Sequence, residues 1–135
     1  MTISVFGEKK ANERYVKRDA VYSVVFDKKK ERIAIVIVNS EHCFLPGGGI
    51  EYGEDHVRCL QREAREEIGM NVEVLHYLGC AQQYFYSVND AKHYLNEGHF
   101  YLCEKDKDIS GPLEEDHSLI WLDPMQAMTK LVHGH

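Results

Sequence analysis

The chain has 135 residues, of which 44% are hydrophobic, and it carries a formal net charge of −6 at pH 7. This length allows one well-buried core and excludes two ordinary domains, so we expect a single domain over residues 1–135. The acidic balance argues against duplex nucleic acid as a partner, and no apolar run is long enough to predict a membrane span.

The N-terminal segment MTISVFGEKK becomes charged before an apolar stretch develops, so it does not resemble a signal peptide. The four cysteines lie far apart, with no CxxC pair and no histidine at zinc-finger spacing. Such cysteines are typical of reduced thiols. We therefore expect a cytoplasmic protein.

Strands are predicted in the first third of the chain. Residues 20–26 and 33–38 are rich in Val and Ile and flank a charged stretch, which is the pattern of a β-hairpin. A turn at residues 39–41 then leads into Pro46 and three glycines, 47–49. Glycine lets the backbone approach a ligand closely, although a glycine triplet by itself is more often only a tight loop.

A helix is predicted after the glycines. Asp55 is a suitable N-cap and Gly69 a suitable stop. The apolar residues that recur between them at three- and four-residue steps, as on the buried face of an amphipathic helix, are Val57, Leu60, Ala64 and Ile68.

The same helix places three carboxylates, those of Glu63, Glu66 and Glu67, on one arc of about 100°. Like charges at these spacings repel one another, so a cation is expected beside them. Mg²⁺ prefers such oxygen ligands. The alternative is a solvated acidic face balanced by Arg62 and Arg65.

The second half of the chain predicts more strands and a final helix. Asp123 and Pro124 have the N-cap and first-turn positions of that helix, to which Met128, Leu131 and Val132 belong. The predicted strands are residues 71–78, 81–87, 99–103 and 118–122. This order of elements favours a mixed α/β fold with helices packed on a sheet.

The stretch from Leu45 to Met70, LPGGGIEYGEDHVRCLQREAREEIGM, resembles the signature of the Nudix (MutT-like) hydrolases. Gly48, five residues, Glu54, seven residues and then REAREEIGM match every fixed position of that signature. The resemblance implies the Nudix fold, an α/β/α sandwich around a mixed β-sheet. Its apolar positions, which should be core, are Ala64, Ile68 and Met70.

The resemblance implies a hydrolase that acts on phosphoric anhydrides with Mg²⁺ or Mn²⁺. Such enzymes cleave the pyrophosphate linkage of a nucleoside diphosphate joined to another moiety, by attack of water on phosphorus. The candidate substrates are small nucleotides: nucleoside triphosphates, nucleotide sugars such as ADP-ribose, and dinucleoside polyphosphates. Homodimers are common among relatives. The alternative is a non-catalytic Nudix-fold module that senses a nucleotide, although no motif carboxylate is missing.

Roles follow from position in the signature. Arg62 orients the carboxylates, with Glu54 as its structural partner. Glu63 is either a further metal ligand or the base that activates water, so Glu63, Glu66 and Arg62 are the catalytic candidates. The metal ligands that the resemblance implies are the carbonyl of Gly48 and the carboxylates of Glu63, Glu66 and Glu67.

Residues outside the signature are weaker candidates. Tyr84 and Tyr86 are candidates for stacking on a base, although alternate strand residues usually face a core. His99 and Arg18 are basic candidates for contact with substrate. A late acidic loop offers Glu114 or Glu115 as a further base or ligand, and the alternative there is a solvated loop.

Overall fold

A computed structural model describes residues 4–108 and 117–133 of the chain. The helices are α1 (His56–Ile68) and α2 (Pro124–His133). The strands are β1 (Ser4–Phe6), β2 (Tyr15–Phe26), β3 (Ile33–Val38), β4 (His42–Phe44), β5 (Gly47–Gly49), β6 (Met70–Ser87), β7 (Lys92–Asp108) and β8 (His117–Leu122).

These strands form one mixed sheet in the order β1-β6-β7-β2-β3-β4, while β5 pairs with β2 and β8 pairs with β3. The β1–β6 and β2–β7 pairs are parallel, and the other pairs are antiparallel. Strand β2 therefore lies between β7 on one edge and β3 and β5 on the other.

The predicted hairpin is present at its turn and opens immediately beyond it. Asp27 Oδ1 accepts hydrogen bonds from the backbone N–H groups of Glu31 and Arg32, which close the turn. Only Phe26 and Ile33 then face each other as a pair. The strands separate because β2 follows β7 along its whole length and β3 pairs with β4 and β8 instead.

Strands β6 and β7 form a long antiparallel ribbon that the sequence predicted only in pieces. Residues 71–78 and 81–87 belong to one strand, β6, whose register shifts at three points, including Tyr77/Gly79. Strand β7 begins at Lys92 rather than at His99. Its first residues are polar and carry no hydrophobic pattern, which is why this half of the strand was missed.

The two helices cover opposite faces of the sheet. Alternation along β3 directs Ala34 and Val36 into the core cluster that contains Ala64 and Ile68 of α1. Ile35 faces the other way, into the cluster formed with Ala127 of α2; Leu131 packs against that cluster. The α/β/α sandwich around a mixed sheet is thus confirmed.

Helix α1 begins and ends as predicted. Asp55 Oδ1 accepts a hydrogen bond from the Arg58 N–H at 2.8 Å, and Gly69 ends the helix with a φ of 59°. Leu60, Ala64, Ile68 and Met70 are buried. The prediction for Val57 was wrong, since its side chain is 42% exposed. Val57 lies in the first turn of α1, and the buried residues of the helix begin only at Cys59.

Helix α2 also begins as predicted, since Asp123 Oδ1 accepts a hydrogen bond from the Gln126 N–H at 2.8 Å. Its buried residue is Ala127, whereas Met128 is 62% exposed. Neither helix in the described ranges has the length and hydropathy needed to cross a membrane.

Candidate active site

The glycine turn forms the short strand β5, which pairs with residues 20–22 of β2. A side chain at Gly47 is excluded, because its Cβ would lie 2.1 Å from the carbonyl oxygen of Val21 and its φ is +150°. Gly48 has a different neighbour: a Cβ there would lie 2.9 Å from Oε1 of Glu63. Glycine at these positions therefore lets the turn fit between β2 and the glutamates of α1.

Glu67 is the second carboxylate at this turn. It is only 9% exposed, and its Oε1 accepts a hydrogen bond from the Gly47 N–H at 2.7 Å. A buried carboxylate is tolerated only when it is hydrogen-bonded or paired. Glu63 and Glu67 thus lie directly beside the glycine turn, one near Gly48 and the other bonded to Gly47.

Arg62 connects the acidic residues of the site. Its Nε and Nη2 donate to the two carboxylate oxygens of Glu54 at 2.6 and 3.0 Å. Its Nη1 donates to Glu63 Oε1 at 2.9 Å and to Glu66 Oε2 at 3.1 Å. Charge-assisted bonds of this kind fix side-chain geometry, so Arg62 holds three glutamates in place.

The donor set fits a hard divalent cation. Three carboxylates and the nearby Gly48 backbone supply the oxygen ligands that Mg²⁺ and Mn²⁺ prefer, and the close approach of Glu63 to Gly48 depends on the absent Cβ. In the described part of the chain, the carboxylate oxygens of Glu63, Glu66 and Glu67 do not all lie within 4.8 Å of one another. Arg62 instead holds the carboxylates of Glu63 and Glu66 through its own hydrogen bonds.

Hydrogen bonding and burial shift the pKa values of Glu54, Glu63 and Cys59 in this site. Arg62, through its hydrogen bonds, lowers the pKa of Glu54 from 4.5 to about 2. Burial raises the pKa of Glu63 even though Arg62 opposes the change, which makes this carboxylate a better proton acceptor. Burial also raises the pKa of Cys59 to about 12, so its thiol stays protonated and is not a nucleophile.

A cavity of about 530 Å³ lies beside Arg18 and Tyr22 of β2, the strand with which β5 pairs. Arg18 and Tyr22 line it and also lie against the glycine turn: Cβ atoms built at Gly49 and Gly47 would be 3.2 Å from Arg18 Nη2 and 2.8 Å from Tyr22 Cδ1. Arg18 is held by Asn96, whose Oδ1 accepts from Nη1 at 2.8 Å. The remaining lining residues are Phe6, Phe44, Leu45, Ala81, Gln82, Gln83, Phe85, Gly98, Phe100 and Leu131.

This cavity has the composition of a nucleotide pocket, with flat apolar walls and a few polar groups. Tyr22 and Phe100 stack with ring centroids 5.3 Å apart, and Asn96 and Gln82 supply amides. The sequence offered a weak signal for these residues. Tyr22 and Phe100 each lie in a predicted strand, next to Val21, which is buried, and to Tyr101, which is half-buried. Without the strand pairing, their common face was not evident.

Tyr84 and Tyr86 do not line this cavity. Alternation along β6 turns them to the opposite side, where they line a second hollow with Tyr15 and His93. Tyr84 packs edge-on against Tyr15 at 4.9 Å. The aromatic residue of this segment that reaches the cavity is the one between them, Phe85.

His99 also points away from the cavity. Its Nδ1 lies 3.0 Å from the Tyr77 hydroxyl, and its ring lies 4.8 Å from that of His56 at the start of α1. Arg18 is thus the candidate from outside the signature that does line the cavity. Glu114 and Glu115 lie outside the described residues.

A model of the NUDIX domain family matches residues 16–135 of the chain. No curated protein matches it significantly in sequence. Among solved structures, a NUDIX hydrolase from Nitrosomonas europaea superimposes with a TM-score of 0.67 at 17% identity, covering 87% of this chain and 79% of that one.

Two further solved structures have the same fold. A UDP-X diphosphatase matches with a TM-score of 0.62 at 19% identity, over 85% of this chain and 55% of that protein. The ORF135 protein of E. coli matches with a TM-score of 0.61 at 19% identity, over 87% and 81% of the two chains.

Proposed function

Because the chain belongs to the Nudix family, we propose that it is a metal-dependent hydrolase of phosphoric anhydrides. Its substrate would be a nucleoside diphosphate linked to another moiety, and water would attack phosphorus. One observation carries the proposal: Glu63 and Glu67 lie directly beside the glycine turn, and Arg18 and Tyr22, which line the cavity, lie against the same turn.

The carbonyl of Gly48 and the carboxylates of Glu66 and Glu67 would hold Mg²⁺ or Mn²⁺, and Glu63 would act as the base rather than as a further ligand. A bound ion would supply charge neutralisation for the diphosphate in the transition state. Phosphoryl transfer needs little else beyond correct positioning.

The residues of the chain have separate tasks in this scheme. Glu63, whose pKa is raised by burial, accepts a proton from the attacking water. Arg62 orients Glu63 and Glu66 through its Nη1, and the Gly47 N–H fixes Glu67. Arg18, which Asn96 holds at the border of the turn and the cavity, binds phosphate.

The cavity receives the nucleoside, whose base lies against the rings of Tyr22, Phe85 and Phe100. The proposed substrates remain nucleoside triphosphates, nucleotide sugars including ADP-ribose, and dinucleoside polyphosphates. The likeness to a UDP-X diphosphatase, at 19% identity, makes nucleotide sugars one class to include in a test. We also propose that small nucleotides rather than duplex nucleic acid are the partners, in line with the net charge of −6.

The second candidate is a module that binds a nucleotide without cleaving it. Incubating the protein with all three substrate classes in Mg²⁺ or Mn²⁺, and identifying the products by chromatography, separates the two. Cleavage at the pyrophosphate linkage that stops with EDTA and with Glu66→Gln supports the enzyme. Saturable nucleotide binding with no product from any class would establish the sensor instead.

A further inference from the structure

The ribbon formed by β6 and β7 brings together three side chains that are distant in sequence. Cys80 on β6 is directly opposite His99 on β7. Glu97 lies two residues before His99 and therefore projects from the same face. The result is a cluster in which one ligand atom from each residue lies within 4.8 Å of the other two.

We propose that Cys80, Glu97 and His99 form a binding site for Zn²⁺ or a chemically similar transition-metal ion. A thiolate, an imidazole and a carboxylate are the ligand types that such ions favour, whereas Mg²⁺ favours oxygen alone. Three protein ligands leave a coordination position open for water or another small ligand. The side chains are partly buried, so an ion enters without unfolding of the ribbon.

Neighbouring residues already orient two of these ligands. Lys17 Nζ lies 2.7 Å from Oε2 of Glu97, while the other oxygen, Oε1, lies 3.5 Å from Cys80 Sγ. The Tyr77 hydroxyl lies 3.0 Å from Nδ1 of His99. Outer contacts of this kind are typical of protein metal sites, and the 58% exposed Lys17 side chain is free to adjust when an ion binds.

Burial lowers the pKa of His99, and the nearby His56 lowers it further. The imidazole is therefore neutral at pH 7, which is the form that binds metals. Burial and the contact with Glu97 raise the pKa of Cys80, so a bound ion would have to displace the thiol proton.

The cluster is separate from the glutamate site. His99 is opposite Val21 on β2, and Val21 is opposite Gly48 on β5. The backbones of His99 and Gly48 are therefore two strand spacings apart, or about 10 Å. The proposal does not rest on the hydrolase function, since a protein without turnover would present the same three ligands.

The test is a metal titration of the full chain with Zn²⁺ and with Co²⁺, in excess Mg²⁺ to occupy the glutamate site. Calorimetry gives the Zn²⁺ affinity, and near-ultraviolet absorbance reports the charge-transfer band of a thiolate bound to Co²⁺. We expect one tight Zn²⁺ site and this band in the unmodified protein.

Cys80→Ser should abolish the thiolate band and weaken Zn²⁺ binding by more than about 100-fold, since loss of an outer-shell contact alone costs about 10- to 100-fold. His99→Ala and Glu97→Gln should each weaken binding in the same way. His76→Ala, which changes an exposed histidine on β6, is the matched control and should bind as the unmodified protein does. Circular dichroism checks each fold, with His99→Asn replacing His99→Ala if the latter unfolds. An unmodified protein without the band, or Zn²⁺ binding that Cys80→Ser leaves unchanged, would overturn the proposal.

Discussion

Arg62 and Glu54 contact each other through two parallel hydrogen bonds, from Nε to Oε2 at 2.6 Å and from Nη2 to Oε1 at 3.0 Å. Both side chains are largely buried, with 19% and 12% of their surface exposed. The planar guanidinium matches the carboxylate at both points, which an ammonium group does not. The remaining nitrogen of Arg62 is thereby directed at Glu63 and Glu66.

Replacing Arg62 with Lys should therefore impair both stability and catalysis, although the positive charge is kept. We expect the free energy of unfolding to fall by about 1.5–3 kcal/mol, the range for hydrogen bonds to charged groups, and kcat to fall about 10- to 100-fold as the glutamates lose their positions. Urea unfolding and steady-state kinetics measure the two effects. Arg58→Lys on the exposed side of the same helix is the control, and an equal loss in both variants would contradict this role for Arg62.

The Glu54 contact should also make stability depend on pH in the acid range. The pKa of this carboxyl is about 2 in the folded protein, chiefly because Arg62 donates to it, against an ordinary value of 4.5. A lowered folded pKa stabilises the fold above pH 4.5, and this contribution is lost as the pH falls through 2. Urea midpoints between pH 5 and 2 should fall more steeply in the unmodified protein than in Glu54→Gln. Parallel curves for the two proteins would show that Glu54 does not contribute.

Glu66→Gln and Glu67→Gln should each reduce turnover by more than about 100-fold while leaving the fold intact, because each removes a proposed cation ligand and keeps the shape of the side chain. In Glu67→Gln the amide oxygen can still accept the bond from the Gly47 N–H. Initial rates over a Mg²⁺ titration, with circular dichroism for the fold, make the measurement. Glu73→Gln, an exposed position on β6, serves as control. A variant with full activity at saturating Mg²⁺ would exclude that glutamate from the mechanism.

Phe85 and Tyr86 are adjacent residues of β6 that both border the hollow beside Tyr15 and His93, but of the two only Phe85 lines the cavity, which gives a matched test of the cavity. Phe85→Ala should raise KM about tenfold, since stacking on a base contributes on the order of 1–3 kcal/mol. Tyr86→Ala should leave KM unchanged, because this residue does not line the cavity. The reverse result would indicate that the nucleotide binds in the hollow beside Tyr15 and His93 instead of in the cavity.

Gly48→Ala tests the contact between the glycine turn and Glu63. The backbone at Gly48 lies outside the left-handed region, so alanine fits without backbone strain, but its Cβ would lie 2.9 Å from Glu63 Oε1. We expect kcat to fall about tenfold or more, with little change in the urea midpoint, as Glu63 is displaced. Unchanged kcat would mean that the position of Glu63 is not critical.

Much of the helix was predictable because its signals are local. Asp55 and Gly69 cap the two ends of α1 through contacts with residues three to five positions away. The spacing of the apolar residues depends only on the period of a helix. The resemblance to the Nudix signature also implied that Gly48 and Glu63 belong to one site.

The cavity and the Cys80 cluster were not predictable because they depend on pairing between distant strands. Register decides that Phe85 rather than Tyr84 faces the cavity, and a shift of one residue would reverse the choice. Cys80 and His99 are opposite each other only because β6 and β7 pair with irregularities such as that at Tyr77/Gly79. Neither hydropathy nor motif spacing contains that information.

Arg62 has a consequence for how the protein folds. Its guanidinium supplies positive charge to Glu54, Glu63 and Glu66 from within the chain, so the acidic face is partly neutralised by a covalently attached counter-ion. Small zinc domains, by contrast, derive their folding energy from the metal and unfold when it is chelated. The glutamates should therefore reach their positions without a divalent ion. Chelation should abolish hydrolysis but leave helix α1 folded.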